Sequence, residues 1–143
     1  MSFDATFVGN NAAYGQVIAD QESGSGEGYH AFVHMAKLYK DEDLPEAVVN
    51  WWNDYETRFG DEPGIPAMEG YRAAELVILA LEKAGPDLTR ESFTRALEQI
   101  TDYTDIFGYN ISFGPNDHKG VDESILSVVK DGRWKTLATT ISY

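Results

Sequence analysis

The chain has no cysteine. Disulfides, thiol nucleophiles and thiolate metal sites are therefore excluded, and cysteine usage leaves the redox compartment open. Basic residues are scarce: eleven Lys and Arg against twenty-four Asp and Glu give a formal charge of −13. The acids are spread along the chain rather than run together, as on a solvated surface. Nucleic acid, whose phosphates need clusters of Lys and Arg, is excluded as a partner, and so is adhesion to anionic lipid. Long apolar runs are missing too, since the longest mostly apolar one, residues 73–81, is far too short to span a bilayer. Met1-Ser2-Phe3-Asp4 offers neither the basic nor the apolar region of a signal peptide.

What is present reads as a folded domain. The chain has 143 residues, 43% of them apolar and 24% charged. That is enough for one core and too little for two complete α/β lobes. Residues 3–8 read as a short strand, closed by the turn Gly9-Asn10-Asn11, which also suits the cap of a helix over 12–20. After a flexible glycine-rich loop, residues 29–38 read as a second strand, with a helix as the alternative. Asp43-Leu44-Pro45-Glu46 signals a helix start with Asp43 as cap. Val48, Trp52, Tyr55 and Phe59 then share one helical face until Gly60 stops the helix. A long helix over 67–84 is apolar on most sides through Leu76, Val77, Ile78, Leu79 and Leu81, so deep packing is expected, ending at Gly85-Pro86. Thr89 caps a third helix with the stripe Phe93, Ala96, Leu97 and Ile100. The period then changes to strands at 106–113, 124–130 and 134–143, with Asp131-Gly132 as a hairpin signal. This order gives an α/β fold with an antiparallel tail.

Most motifs reduce to structure. His30 and His34 have the spacing of a zinc-protease pair, but Ala31 stands where the glutamate is needed and no third ligand is evident. Residues 24–28 are glycine-rich without the lysine of a P-loop. Asn116-Asp117-His118 with Asp122 and Glu123 lacks the alternation of a calcium loop and reads as a turn. No Gly-x-Ser-x-Gly elbow occurs. Asp102 and Asp105 sit in a polar connection with no reason to be desolvated. An enzyme is not expected, and neither a metal nor another cofactor is implied.

Glu69-Gly70-Tyr71 stands apart, at the mouth of an otherwise apolar helix. A carboxylate there suits an ammonium, and a tyrosine offers a hydroxyl and an aromatic face. The same pair equally suits a first-turn acid answering the helix dipole and a tyrosine packed as core.

From Tyr55 onward six soft motifs follow in order: Tyr55-x-x-x-Phe59-Gly60 with Pro63, then Gly70-Tyr71-x-Ala73-Ala74, then Ala80-Leu81-x-x-Ala84-Gly85. Asp87-Leu88-Thr89 with Phe93-x-x-Ala96-Leu97 comes next, followed by Ile111-x-Phe113-x-Pro115-x-Asp117-His118-x-Gly120 and Val129-Lys130-Asp131-Gly132-Arg133-Trp134. The series resembles the C-terminal portion of periplasmic solute-binding proteins of branched-chain amino acid and amide ABC transporters. Weaker similarity runs upstream through Phe7-Val8-Gly9 and Gly26-Glu27-Gly28-Tyr29.

The resemblance implies a partial class I periplasmic-binding-protein fold, with Rossmann-like lobes and a C-terminal antiparallel strand segment. Residues 1–35 and 106–143 would belong to one lobe, and 36–105 would form the helical part of the other. It implies a ligand-binding module for an amino acid or related small amide or amine, closing by hinge motion, or else a sensory domain of the same fold. Tyr71 with Glu69 would line the cleft on one side and Gly9, Asn10 and Asn11 on the other. The partners implied are a membrane permease and the missing N-terminal half, or a second copy in a homodimer or domain swap. The compartment implied is the periplasm. Arg72 stands where many relatives carry aspartate, which leaves the ligand type open.

Overall fold

Strand pairing in this chain follows two regimes, a parallel crossover near its start and tight antiparallel hairpins near its end. The computed structural model describes residues 5–142. Contacts divide these into two compact units, one made of the residues up to Leu38 with those from Asp122 onward, the other of Tyr39–Val121.

The first unit is a four-stranded sheet in the order β1 (Val8–Gly9), β2 (His30–Val33), β6 (Glu123–Lys130), β7 (Arg133–Ser142). Strand β1 (Val8–Gly9) is shorter than expected because only Val8 and Gly9 pair in parallel, with His30 and Ala31 of β2 (His30–Val33). Residues 3 and 4 of the expected strand lie outside the described residues. The helix expected over 12–20 is broken by Gly15, which is extended at φ −100 and ψ 149. A 3-10 turn (Asn11–Ala13) precedes it and one α-turn, α1 (Gln16–Ala19), follows. Beyond β2 the chain leaves the strand, and the Lys37 amide donates instead to the Tyr14 hydroxyl at 3.0 Å.

Strand β6 (Glu123–Lys130) pairs antiparallel with both β2 and β7 (Arg133–Ser142). The turn between β6 and β7 is the expected Asp131-Gly132, with φ of 54 and 73. Positive φ at both central residues gives the twist that flanking strands need. Ala31, Val33, Ser127, Val129 and Trp134 are buried in this unit.

The second unit is helical. Helix α2 (Glu46–Phe59) starts behind Pro45, not behind Asp43, and no side chain caps it. Gly60 ends it in the left-handed region at φ 70. Its expected buried face holds only in part. Val48 and Trp52 are buried, Tyr55 is half-buried, and Phe59 is 67% exposed.

Helix α3 (Ile65–Ala84) begins two residues earlier than expected, with Pro66 in its first turn. Deep packing holds for one face only. Ala80, Leu76 and Leu79 pack with Ala96 and Ile100, while Val77, Ile78 and Leu81 stay exposed. The helix is apolar on more sides than its neighbours cover.

Helix α4 (Arg90–Glu98) has a capping box, in which the Ser92 amide donates to Thr89 Oγ1 at 3.0 Å and the Thr89 amide to Ser92 Oγ at 2.8 Å. A small sheet follows, ordered β3 (Tyr103–Thr104), β4 (Asn110–Gly114), β5 (Asp117–Gly120). Residues 106–121 thus lie with the helices. The Phe113 amide fixes β4 there by donating to the Ile100 carbonyl at 2.8 Å, and the Phe113 ring packs against the Ala80–Ala96–Ile100 core.

Candidate functional site

Helical spacing organises the residues around Tyr71. Trp51, Tyr55 and Phe59 recur every four residues on α2 and form a stripe beside the Val48–Trp52 face that is buried. The Trp51 and Tyr55 rings lie 6.0 Å apart, and those of Tyr55 and Phe59 4.6 Å apart. On α3, Ala67 and Tyr71 share a face by the same spacing. The Tyr71 ring meets Trp51 edge-on at 5.7 Å. These residues, with Asp54 and Arg58, line a groove of about 360 Å³. Asp54 and Arg58 form an ion pair at 2.9 Å, both well exposed.

Phe107 extends the aromatic wall, 5.0 Å from Trp51 and 6.1 Å from Tyr71. A buried knot holds it there. Asp105, whose side chain is fully buried, accepts from the Phe107 amide at 3.0 Å and the Tyr109 amide at 2.9 Å through Oδ1, and from Arg72 Nε at 2.6 Å through Oδ2. The Arg72 guanidinium also lies 5.0 Å from the Tyr109 ring centroid. Gly108, at φ 85, makes the tight turn possible. The polar connection expected around Asp105 is therefore desolvated after all, because Arg72 and two amides replace water.

Glu75 follows Tyr71 by one turn. Burial pushes its carboxyl above the ordinary glutamate range. The Tyr103 hydroxyl opposes that rise by hydrogen bonding, Asp105 adds to it, and Tyr71 and Arg72 oppose it. The Tyr71 and Tyr103 hydroxyls are themselves pushed up, by burial first and then by the Glu75 charge. A carboxyl raised on folding contributes stability that is full below its unfolded value, 4.5, and lost as pH rises through the folded one. Glu75→Gln removes that loss. The variant is expected to melt above the parent at pH 7, with the difference gone near pH 4, in thermal melts followed by circular dichroism. An equal gain at both pH values, or a loss at pH 7, would contradict this.

The other expected residues fall as follows. Glu69 is half-buried on α3 and does not line the groove. Residues two apart on a helix point about 200° from each other. Glu69 and Tyr71 also sit in the second turn rather than at the helix mouth, since α3 starts at Ile65. Gly9, Asn10 and Asn11 lie together in the strand unit. Asn10 Oδ1 caps the 3-10 turn by accepting from the Ala12 amide at 3.1 Å. A Cβ on Gly9 would collide with the Tyr29 hydroxyl and come within 2.8 Å of the Ala13 Cβ, so packing alone demands glycine there.

Sequence reasoning missed Trp51, Asp54 and Arg58. Their signal was available in the four-residue spacing of Trp51 with Tyr55 and Phe59, two residues that the core stripe had claimed. Among the described residues no group of three or more His, Asp or Glu side chains could hold a metal. No helix among them is long and apolar enough to cross a membrane.

The architecture defines the class: a mixed α/β chain carrying part of a class I periplasmic-binding-protein fold. Residues 4–133 match the periplasmic binding protein family, and the chain belongs to it. No curated protein matches. Among solved structures, a protein from Rhodospirillum rubrum, provisionally assigned to branched-chain amino acid ABC transport, is 26% identical with a TM-score of 0.68. The match covers 95% of this chain and 38% of that one. The leucine binding protein LivK of Thermotoga maritima is 18% identical with a TM-score of 0.72, over 98% of this chain and 38% of its own. A branched-chain amino acid ABC transporter protein of Thermus thermophilus with bound valine is 17% identical with a TM-score of 0.69, over 95% and 39%. The chain thus spans about two fifths of the length of these neighbours.

Proposed function

We propose that this chain is the ligand-binding module of an ABC-transporter solute-binding protein for an amino acid or a related small amide or amine, and that it makes and breaks no bond. The observation that carries the reading is the placement of Tyr71. The residue that the family resemblance singles out lines a groove of about 360 Å³, the scale of a small-molecule site, among four other aromatic rings. In this reading Tyr71 contacts the ligand from the helical unit, and the Gly9-Asn10-Asn11 turn contacts it from the strand unit. A ligand that needs both sets of contacts binds the closed form better and draws the open–closed equilibrium towards it by hinge motion. The closed form then docks on its permease, in the periplasm.

Calorimetry with a panel of amino acids tests the assignment. Tyr71→Ala is expected to weaken binding tenfold or more, the equivalent of about 1.4 kcal/mol. Unchanged affinity in that variant would remove Tyr71 from the site.

A further inference from the structure

The groove between α2 and α3 has a chemistry more specific than an apolar pocket. Its wall is a continuous run of rings, Phe59 to Tyr55 to Trp51 to Tyr71, in tilted and edge contacts of 4.6, 6.0 and 5.7 Å. Rings this close leave no gap for a cation to be surrounded, as an aromatic cage would need. They make instead a wall of ring faces and edges against which one flat ring can pack. Phe59, 67% exposed, is a large apolar surface that nothing in its own unit covers.

The solvent edge of the same groove carries both signs of charge. Arg58 gives its Nε to Asp54 Oδ2 at 2.9 Å, and among the described residues that is its one polar partner. The terminal amino groups of the guanidinium remain available for a planar bidentate carboxylate. Asp54 keeps its second oxygen for an ammonium. A free α-amino acid presents both charged groups on one carbon, at the spacing of a side-by-side Asp–Arg pair.

We infer that the groove is a site for an aromatic α-amino acid in its zwitterionic form. The ring lies on the Trp51–Tyr55–Phe59–Tyr71 wall, the carboxylate pairs with Arg58 and the ammonium with Asp54. The volume of about 360 Å³ accommodates a ligand of this size. The inference rests on the amino-acid-binding reading above and narrows it to a ligand class.

The test is calorimetry on this chain with L-phenylalanine, L-leucine, 2-phenylethylamine and 3-phenylpropanoate, with tryptophan fluorescence as a second readout. L-Phenylalanine is expected to bind at least tenfold tighter than the other three, because each of them lacks the ring, the carboxylate or the ammonium. Arg58→Gln is expected to bring L-phenylalanine down to the affinity of 2-phenylethylamine while leaving 2-phenylethylamine unchanged. Arg58 is an exposed partner of an i,i+4 pair, so the variant keeps its fold, which the circular dichroism spectrum checks. If leucine binds as well as phenylalanine and Arg58→Gln changes neither, the aromatic zwitterion is overturned while amino acid binding stands. If no amino acid binds, both readings fall.

Discussion

Asp105→Ala destabilises the helical unit by about 3–5 kcal/mol, the cost of breaking a buried ion pair from one side. The Asp105 carboxylate is fully buried and has three donors, Arg72 Nε and the amides of Phe107 and Tyr109. Truncation leaves two buried amides without an acceptor and strands the guanidinium of Arg72. That side chain is only 13% exposed, and its Nη2 already lacks a hydrogen-bond partner. Asp105→Asn keeps the shape and one acceptor, and should fall between parent and Ala. The same change frees Phe107 from its place beside Trp51 and Tyr71, so the aromatic wall loosens with the fold. Urea unfolding followed by tryptophan fluorescence measures the loss, and a change below about 1 kcal/mol, typical of an exposed pair, would show that the pair is not desolvated.

Trp134→Ala is expected to cost about as much in the strand unit, on the order of 3–5 kcal/mol, as large aromatic truncations in a core do. The ring is 3% exposed and meets Tyr14 in a tilted contact at 4.4 Å, with Tyr29 edge-on at 6.2 Å. Its Nε1 donates to the Gly15 carbonyl at 3.0 Å, at the break between the 3-10 turn and α1. Trp134 therefore anchors the turn after β1, through Tyr14, whose hydroxyl donates to Ser127 Oγ at 3.3 Å and accepts from the Lys37 amide. Trp134→Phe keeps most of the buried area and loses the hydrogen bond, so its cost should be well under half that of Ala. If the two variants destabilise equally, the hydrogen bond rather than the packing holds the turn.

The helices were legible because each carries its own punctuation. Gly60, Gly85 and the Thr89 box act within one turn of chain, and each does in the structure what the local chemistry demands. The Asp131-Gly132 hairpin was legible for the same reason. Strand lengths were less so, since β1 and β2 extend only as far as their partners do. Burial failed where one stripe of a helix borders another. Phe59 lies two turns beyond Trp52 and shares its apolar character, yet one is exposed and the other buried. The desolvation of Asp105 was invisible because its partner, Arg72, comes 33 residues earlier on another element. Of the site, Tyr71 was found through the resemblance, whereas Asp54 and Arg58 look like any surface i,i+4 pair until the groove beside them is seen.

The strand unit is discontinuous in sequence, and this has a consequence for how it assembles. The chain leaves β2 after Val33 and the strand unit after Leu38, and it returns at Asp122; the pairing of Val33 with Ile125 holds the strand ends on either side of the insertion together. The helical unit is thus an insertion whose two ends meet on neighbouring strands. Pairing β2 with β6 while the insertion is unfolded requires closing a very long loop, whose entropy must be met before any native contact rewards it. Folding of the insertion first removes that penalty by bringing its ends together. The order is therefore inside out, with the later part of the sheet waiting on the helices. Pulse-labelled hydrogen exchange should show α3 amides protected before those of β6, and the opposite order would mean the sheet nucleates on its own.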